Sequence, residues 1–170
     1  IITYVLDGAL GHQDSIGTGS VIRQGDVQVM SAGNGIRHSE FNHSQTDPVH
    51  FLQIWVIPAR NGIAPRYDQK TYADADKRAQ LRLVLSHDGR EGSIVIPQDV
   101  DIYASLLRQG ESVAHTFAAG RSGWVQVLRG AIELNGQSLA ASDGAAVERE
   151  SLLEITGRAD DSEILLFDLP

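Results

Sequence analysis

A chain of 170 residues, 42% apolar and 21% charged, can bury a real core and as a loose prior holds one domain or two small ones. Its mean hydropathy of −0.15, with no apolar run near ~20 residues, excludes a helical membrane span. Twenty-two acidic against 14 basic residues give a net charge of −8 without a basic stripe, which argues against direct contact with nucleic acid; zero cysteines exclude disulfides, zinc–thiolate sites and Cys nucleophiles. Any metal must therefore use His, Asp or Glu, and the composition fits the cytoplasm.

The chain opens on Ile1-Ile2-Thr3-Tyr4-Val5-Leu6, a β-branched run with no polar lead-in, which reads as a strand entered from its middle. Short β-rich runs follow at 20–23, 27–30, 51–57, 81–85, 93–97, 102–107, 124–128, 131–134, 151–156 and 164–169. Asp7-Gly8, Gly25-Asp26, Asn34-Gly35, Asp88-Gly89, Asn135-Gly136 and Asp143-Gly144 supply turns between them. A single short helix is expected over 72–80. Many short strands at regular spacing predict an all-β sandwich or barrel.

Two phrases recur in the same order. Val5-Leu6-Asp7-Gly8-Ala9-Leu10 returns as Val127-Leu128-Arg129-Gly130-Ala131-Ile132, and Leu52-Gln53-Ile54-Trp55-Val56-Ile57-Pro58 is echoed by Ile164-Leu165-Leu166-Phe167-Asp168-Leu169-Pro170. The repeat predicts two related β-barrels in tandem: an N-terminal one over 1–72, a linker over 73–92, and a C-terminal one over 93–170.

Of six histidines, His38 stands out, because His38-Ser39-Glu40 puts an imidazole and a carboxylate on one face of a strand. If that face is a barrel interior, the pair is half of a site for Fe, Mn, Ni, Co, Cu or Zn; if not, it is a solvated surface strand. His12, followed by Gln13-Asp14-Ser15, reads as a polar loop, His43 as part of a loop sequon, His50 as a rim residue and His87 as exposed. His115 is the last histidine, so the second barrel cannot assemble a multi-His site and is expected to be metal-free with an apolar lumen. No Gly-x-x-x-x-Gly-Lys, Gly-x-Ser-x-Gly or His-Glu-x-x-His motif occurs.

Over essentially its whole length the chain resembles the pirin family of bicupins, and within it the bacterial pirin-like quercetinases. The likeness rests on Ile2–Gly8, His12-Gln13-Asp14-Ser15, the run from Gly25 to Gly33, Gly35-Ile36-Arg37-His38-Ser39-Glu40, Gln53-Ile54-Trp55, Pro65-Arg66-Tyr67 and the terminal Leu165–Pro170. The resemblance implies tandem cupin β-barrels with one metal, in the first barrel, held by three His and one Glu. His38 and Glu40 match the His-x-Glu part of that set. The other two His, a His-x-His pair, are expected upstream of Ile1 and do not occur in this sequence, so the first barrel reads as incomplete at its N-terminal side.

The activity implied is cleavage of flavonols such as quercetin by O2, with a divalent transition metal (iron foremost) and Glu40 as the base. The alternative class is a non-enzymatic, iron-responsive co-regulator that docks on a protein partner, and a third is a purely structural bicupin. Flavonol turnover separates the first from the second, and metal content separates both from the third.

Overall fold

The structure, a computed structural model, describes residues 1–170, and the chain divides into two compact units. Both are built almost wholly from antiparallel strands, as the spacing of short β-branched runs predicts. No helix is long and apolar enough to cross a membrane.

The first unit comprises Ile1–Tyr72 with Ile96–Gln98. Its strands are β1 (Ile2–Asp7), β2 (Ala9–Asp14), β3 (Gly19–Arg23), β4 (Asp26–Ser31), β5 (His38–Asn42), β6 (His50–Ile54) and β7 (Arg66–Thr71). They form a four-stranded sheet in the order β6-β1-β4-β7 and a three-stranded sheet in the order β3-β2-β5. Val5, Leu10 and Ile22, each nearly inaccessible, join the two sheets in a small apolar cluster. The strand edges of β5 and β6 are free, since β5 pairs only with β2 and β6 only with β1.

The second unit comprises Ala73–Val95 and Asp99–Pro170. It holds a helical turn α1 (Asp74–Lys77), then β8 (Arg82–Ser86), β9 (Ile94–Val95), β10 (Asp101–Leu107), β11 (Ser112–Thr116), β12 (Ser122–Arg129), β13 (Ala131–Leu134), β14 (Gln137–Ala140), β15 (Gly144–Val147), β16 (Leu152–Gly157) and β17 (Ser162–Leu169). A six-stranded sheet runs β15-β12-β17-β10-β8-β9 and a four-stranded one β11-β16-β13-β14. The single parallel pairing of strands is the two-residue contact of β8 with β9. Residues 73–92, expected as a linker, are part of this unit: β8 pairs with β10 inside the larger sheet.

The helix expected over 72–80 is one turn long. Ala73 at its N-cap has no side-chain acceptor for the free N–H groups. At the other end Arg78 is already extended and bridges to Leu106, and Ala79 takes a positive φ of 52°. The run expected at 51–57 also stops early, at Ile54, leaving Trp55 and Ile57 at 74% and 82% exposure.

The repeat is real in three dimensions. β1 to β6 pair among themselves as β12 to β17 do: β1 with β4 and β6, β2 with β3 and β5; β12 with β15 and β17, β13 with β14 and β16. The register slips at the same place in both copies, between Val5 and Asp7 and between Val127 and Arg129. Gly8 and Gly130 then make the same sharp turn at φ 76° and 67°. Any Cβ there would meet backbone: Pro48 O at 2.4 Å from Gly8, and Ser162 Cα at 2.8 Å from Gly130. The second phrase aligns one residue later than the sequence suggests. Tyr4 pairs with Leu52 and its counterpart Gln126 with Leu165, so Leu165, not Ile164, answers Leu52. A one-residue slip exchanges the two faces of a strand, and this correction decides which residues face each interior.

Candidate metal centre

Directly paired residues of neighbouring strands project to the same side, so the registers identify rows of side chains facing the first unit's interior. One row crosses the four-stranded sheet as Gln53–Thr3–Gln28–Gln69. A second crosses the smaller sheet as Ser20–His12–Glu40, with Asp14–His38 beside it. Hydrogen bonds join the two. Glu40 Oε2 accepts from Gln53 Nε2 at 2.5 Å, and Oε1 from the Thr3 hydroxyl at 3.5 Å. The Tyr67 hydroxyl touches Ser20 and donates to Gln69 Oε1 at 2.8 Å, while Gln69 Nε2 donates to Asp26 Oδ2 at 2.9 Å. Burial, and the charges of Asp14, Asp26 and Glu40 around it, push the Tyr67 hydroxyl above its ordinary pKa despite the bond with Ser20.

Glu40 thus turns inward; the His-x-Glu spacing set only that it shares a face with His38. His38 shares its face but stays exposed at the rim, its ring stacked on His12 with centroids 5.8 Å apart and planes 23° from parallel. It also lines a cavity of about 460 Å3 whose walls include Val29, Met30, Ile36, Trp55 and Ile57, all in the first unit. Glu40 is not among its lining residues; Trp55 Nε1, on the wall, donates to Gln53 Oε1 at 3.4 Å, and Gln53 in turn donates to Glu40.

His12 corrects the sequence reading. It belongs to β2, not to a polar loop, and is 1% exposed. Its Nε2 lies 3.1 Å from Asp14 Oδ2, its ring packs on Tyr67 with centroids 4.9 Å apart, and its Nδ1 faces Glu40 Oε1 at 3.8 Å with no hydrogen-bond partner. Burial would raise the Asp14 carboxyl, but the Thr18 and Ile16 backbone N–H groups and the His12 ring hold it below its ordinary pKa. The alternation of Leu10, His12 and Asp14, and the match of Ala9 to Ala131 at the start of a strand, were the signals for β2. Of the remaining histidines, His43, His50 and His87 are exposed. His115 pairs its Nε2 with Asp168 Oδ2 at 2.7 Å, and Arg121 bonds the same carboxylate.

His38 and Glu40 offer one imidazole and one carboxylate, donors suited in kind to a first-row divalent ion. The orphaned Nδ1 of His12 beside them marks an interior prepared for a polar guest. They match two of the four ligands that the family resemblance implies, and no three His, Asp or Glu side chains converge closely enough to hold an ion by themselves.

The second unit has the same rows with different chemistry. The registers put Leu134 where the first unit has His12, Leu153 for His38 and Ile155 for Glu40, and Val125, Ala145 and Leu166 for Thr3, Gln28 and Gln53. Leu134, Leu153, Ile155, Val125 and Leu166 are buried in one apolar cluster, with Ala145 packed against it. One fold therefore fills the same positions with hydrocarbon in one copy and with polar groups in the other.

Comparison with known proteins agrees with these features. The family model described as Pirin matches residues 1–56, and that of the quercetinase C-terminal cupin domain matches residues 83–169. A quercetin 2,3-dioxygenase of Escherichia coli (strain K12) is 46% identical over 170 residues, which are 100% of this chain and 72% of that protein. The crystal structure of YhhW from Escherichia coli superposes with a TM-score of 0.94 at 44% identity, covering 99% of this chain and 70% of that one. The bacterial pirin YhhW of Escherichia coli in complex with nickel(II) does so with a TM-score of 0.92 at 45% identity, covering 99% and 71%. The chain, two cupin units in tandem, belongs to the pirin family.

Proposed function

We propose that this chain carries the catalytic face of a metal-dependent dioxygenase that cleaves flavonols such as quercetin with O2, releasing carbon monoxide. The observation that supports this most directly is the contrast between the two copies of the fold. Leu134, Leu153 and Ile155 serve the core of the second unit, so His12, His38 and Glu40 at the same positions are not there to make the fold possible. Buried polar side chains with unpartnered atoms, here His12 Nδ1 and both amide atoms of Gln28, cost about 1–3 kcal/mol each, and a functional site is the usual reason to keep them.

His38 and Glu40 are the residues of this chain that would hold a divalent transition metal, which when bound supplies a Lewis acid for the substrate's deprotonated hydroxyl. Glu40 is the base that takes the proton from that hydroxyl. Gln53 and Thr3 donate to its two oxygens and fix the direction of the remaining lone pairs. The cavity beside His38, at about 460 Å3, lies within the ~300–1,000 Å3 usual for small-molecule sites, and its aliphatic and indole walls suit flat aromatic rings.

The test is aerobic incubation of the protein with quercetin, with and without added Fe2+, Ni2+, Mn2+, Co2+, Cu2+ or Zn2+, following flavonol loss and carbon monoxide release. Metal-dependent loss with one equivalent of carbon monoxide is the expected result. Quercetin left intact by protein that has demonstrably taken up each metal overturns the proposal.

A further inference from the structure

We infer that His12 is a positioning residue of the metal centre: its buried imidazole, oriented by Asp14, sets how Glu40 and His38 present themselves to the ion. This deepens the proposed function and rests on its assignment of His38 and Glu40 as ligands.

Three independent contacts carry it. An ionised Asp14 carboxylate can only accept, and its Oδ2 lies 3.1 Å from His12 Nε2, so the His12 proton belongs on Nε2. Asp14 is itself anchored by the backbone N–H groups of Ile16 and Thr18, at 3.0 and 2.9 Å, so the ring is held by the loop rather than by a mobile side chain. That leaves Nδ1 with its lone pair, buried, aimed at Glu40 Oε1 at 3.8 Å and short of any donor. The flat of the same ring stacks on His38.

One side chain therefore touches both candidate ligands, one through an edge nitrogen and the other through its face. Histidine-and-carboxylate pairs behind metal ligands commonly act this way: they fix ring and carboxylate orientations, and their loss costs about 10–100-fold in metal affinity or activity. A purely structural role is the weaker explanation because the second unit fills the equivalent place with Leu134, 6% exposed, in its apolar cluster. Leucine suffices there for the fold. At position 12 an imidazole with an unpartnered nitrogen replaces it.

The second unit also names the variant to use. His12→Leu installs the residue that the same fold position already accepts, so it should fold with an unchanged or higher melting temperature. His12→Asn retains a polar atom close to the position of Nδ1 and serves as the conservative rescue. The readouts are Co2+ affinity, by competition with a chromogenic chelator, and the visible ligand-field spectrum of the Co2+ protein, which follows ligand geometry and is silent to stability alone.

Wild type should bind Co2+, His12→Leu should bind it about 10–100-fold more weakly with a shifted spectrum, and His12→Asn should recover most of the affinity. His12→Leu that binds Co2+ as wild type does, with the same spectrum, overturns the inference, as does a wild-type protein that binds no Co2+. An unfolded His12→Leu also counts against it, since the imidazole would then be serving the fold. Quercetin consumption separates the two levels. Co2+ binding that depends on His12, in a protein that leaves quercetin intact with every metal, upholds the positioning role and overturns the dioxygenase reading.

Discussion

Replacing Glu40 with Gln tests the chemistry at the smallest structural cost. The amide keeps the size of the carboxylate and one acceptor oxygen, so Gln53 Nε2, now 2.5 Å from Oε2, retains a partner. The new NH2 group would face His12 Nδ1, which lies 3.8 Å from Oε1 and has no donor at present, so the fold gains a donor where one is missing. Stability should therefore hold or rise slightly. What the amide cannot do is carry the charge that draws a divalent ion or accept the proton of a flavonol hydroxyl. Loss of a general base typically costs ~10²–10⁴ in rate, about 2.7–5.5 kcal/mol of transition-state stabilisation. The assay is kcat and KM for quercetin with the metal at saturation, together with a thermal melt. The expected pattern is an unchanged melting temperature, a KM within a few-fold of wild type and a kcat lower by at least ~100-fold. Full turnover by a folded, metal-loaded Glu40→Gln protein would show that Glu40 is not the base.

The fold and its electrostatics make three further predictions. Leu153→Ala, in the second unit's core at 0% exposure, should cost about 2–5 kcal/mol in urea unfolding, whereas His38→Ala at the equivalent exposed position should cost under ~1 kcal/mol. Gly8→Ala should destabilise by more than ~1 kcal/mol, since φ is 76° and the new Cβ would fall 2.4 Å from Pro48 O; an unchanged unfolding midpoint would remove that account of the turn. The Arg90 backbone N–H, with the Ser86 hydroxyl and the Arg90 guanidinium, holds Asp88 at about 2, below its ordinary 3.8 despite some desolvation. Its contribution is therefore present above about pH 4 and lost as pH falls towards 2, so thermal melts of Asp88→Asn should show a shallower acid-side decline across that window than wild type.

The architecture was legible because the strand signals are local. Apolar runs closed by Asp-Gly and Asn-Gly turns mark where strands end, although only Asn135-Gly136 joins two strands paired antiparallel, and the Val-Leu-x-Gly phrase repeats because β1 and β12 end in the same bulge and turn. That His38 and Glu40 share a face was legible for the same reason: a spacing of two fixes a face, though not which face looks inward. His12 was not, because its burial depends on a partner strand whose paired residue, Glu40, lies 28 residues away. The Gln13-Asp14-Ser15 sequence that follows it has the composition of a loop, although Asp14 is the terminal residue of β2 and pairs with His38. The polar row Gln53–Thr3–Gln28–Gln69 was hidden more thoroughly. Its members lie on four strands, and although Thr3, Gln28 and Gln53 fall in stretches that carry the family resemblance, no local spacing ties them together, so only the registers of three strand pairs assemble them.

The two units also bear on why the first keeps an interior that costs stability. Burial of apolar surface contributes about 25 cal/mol per Å2, and the second unit collects it at every equivalent position, from Leu134 to Leu166. The first gives up that contribution at His12, Thr3, Gln28, Glu40 and Gln53, and retains a cluster of only Val5, Leu10 and Ile22 between its sheets, flanked by Val49 and Phe51. Its strand edges differ as well. The counterpart of β5 is β16, which pairs on its far side with β11, so that His115 stands opposite Leu153, the counterpart of His38. The free edge of β5 is thus the place in the first unit where a strand would present side chains to His38 and Glu40. The first unit gives the positions facing between its sheets to polar side chains, and the second, with the same strands paired in the same way, fills them with its own hydrophobic core.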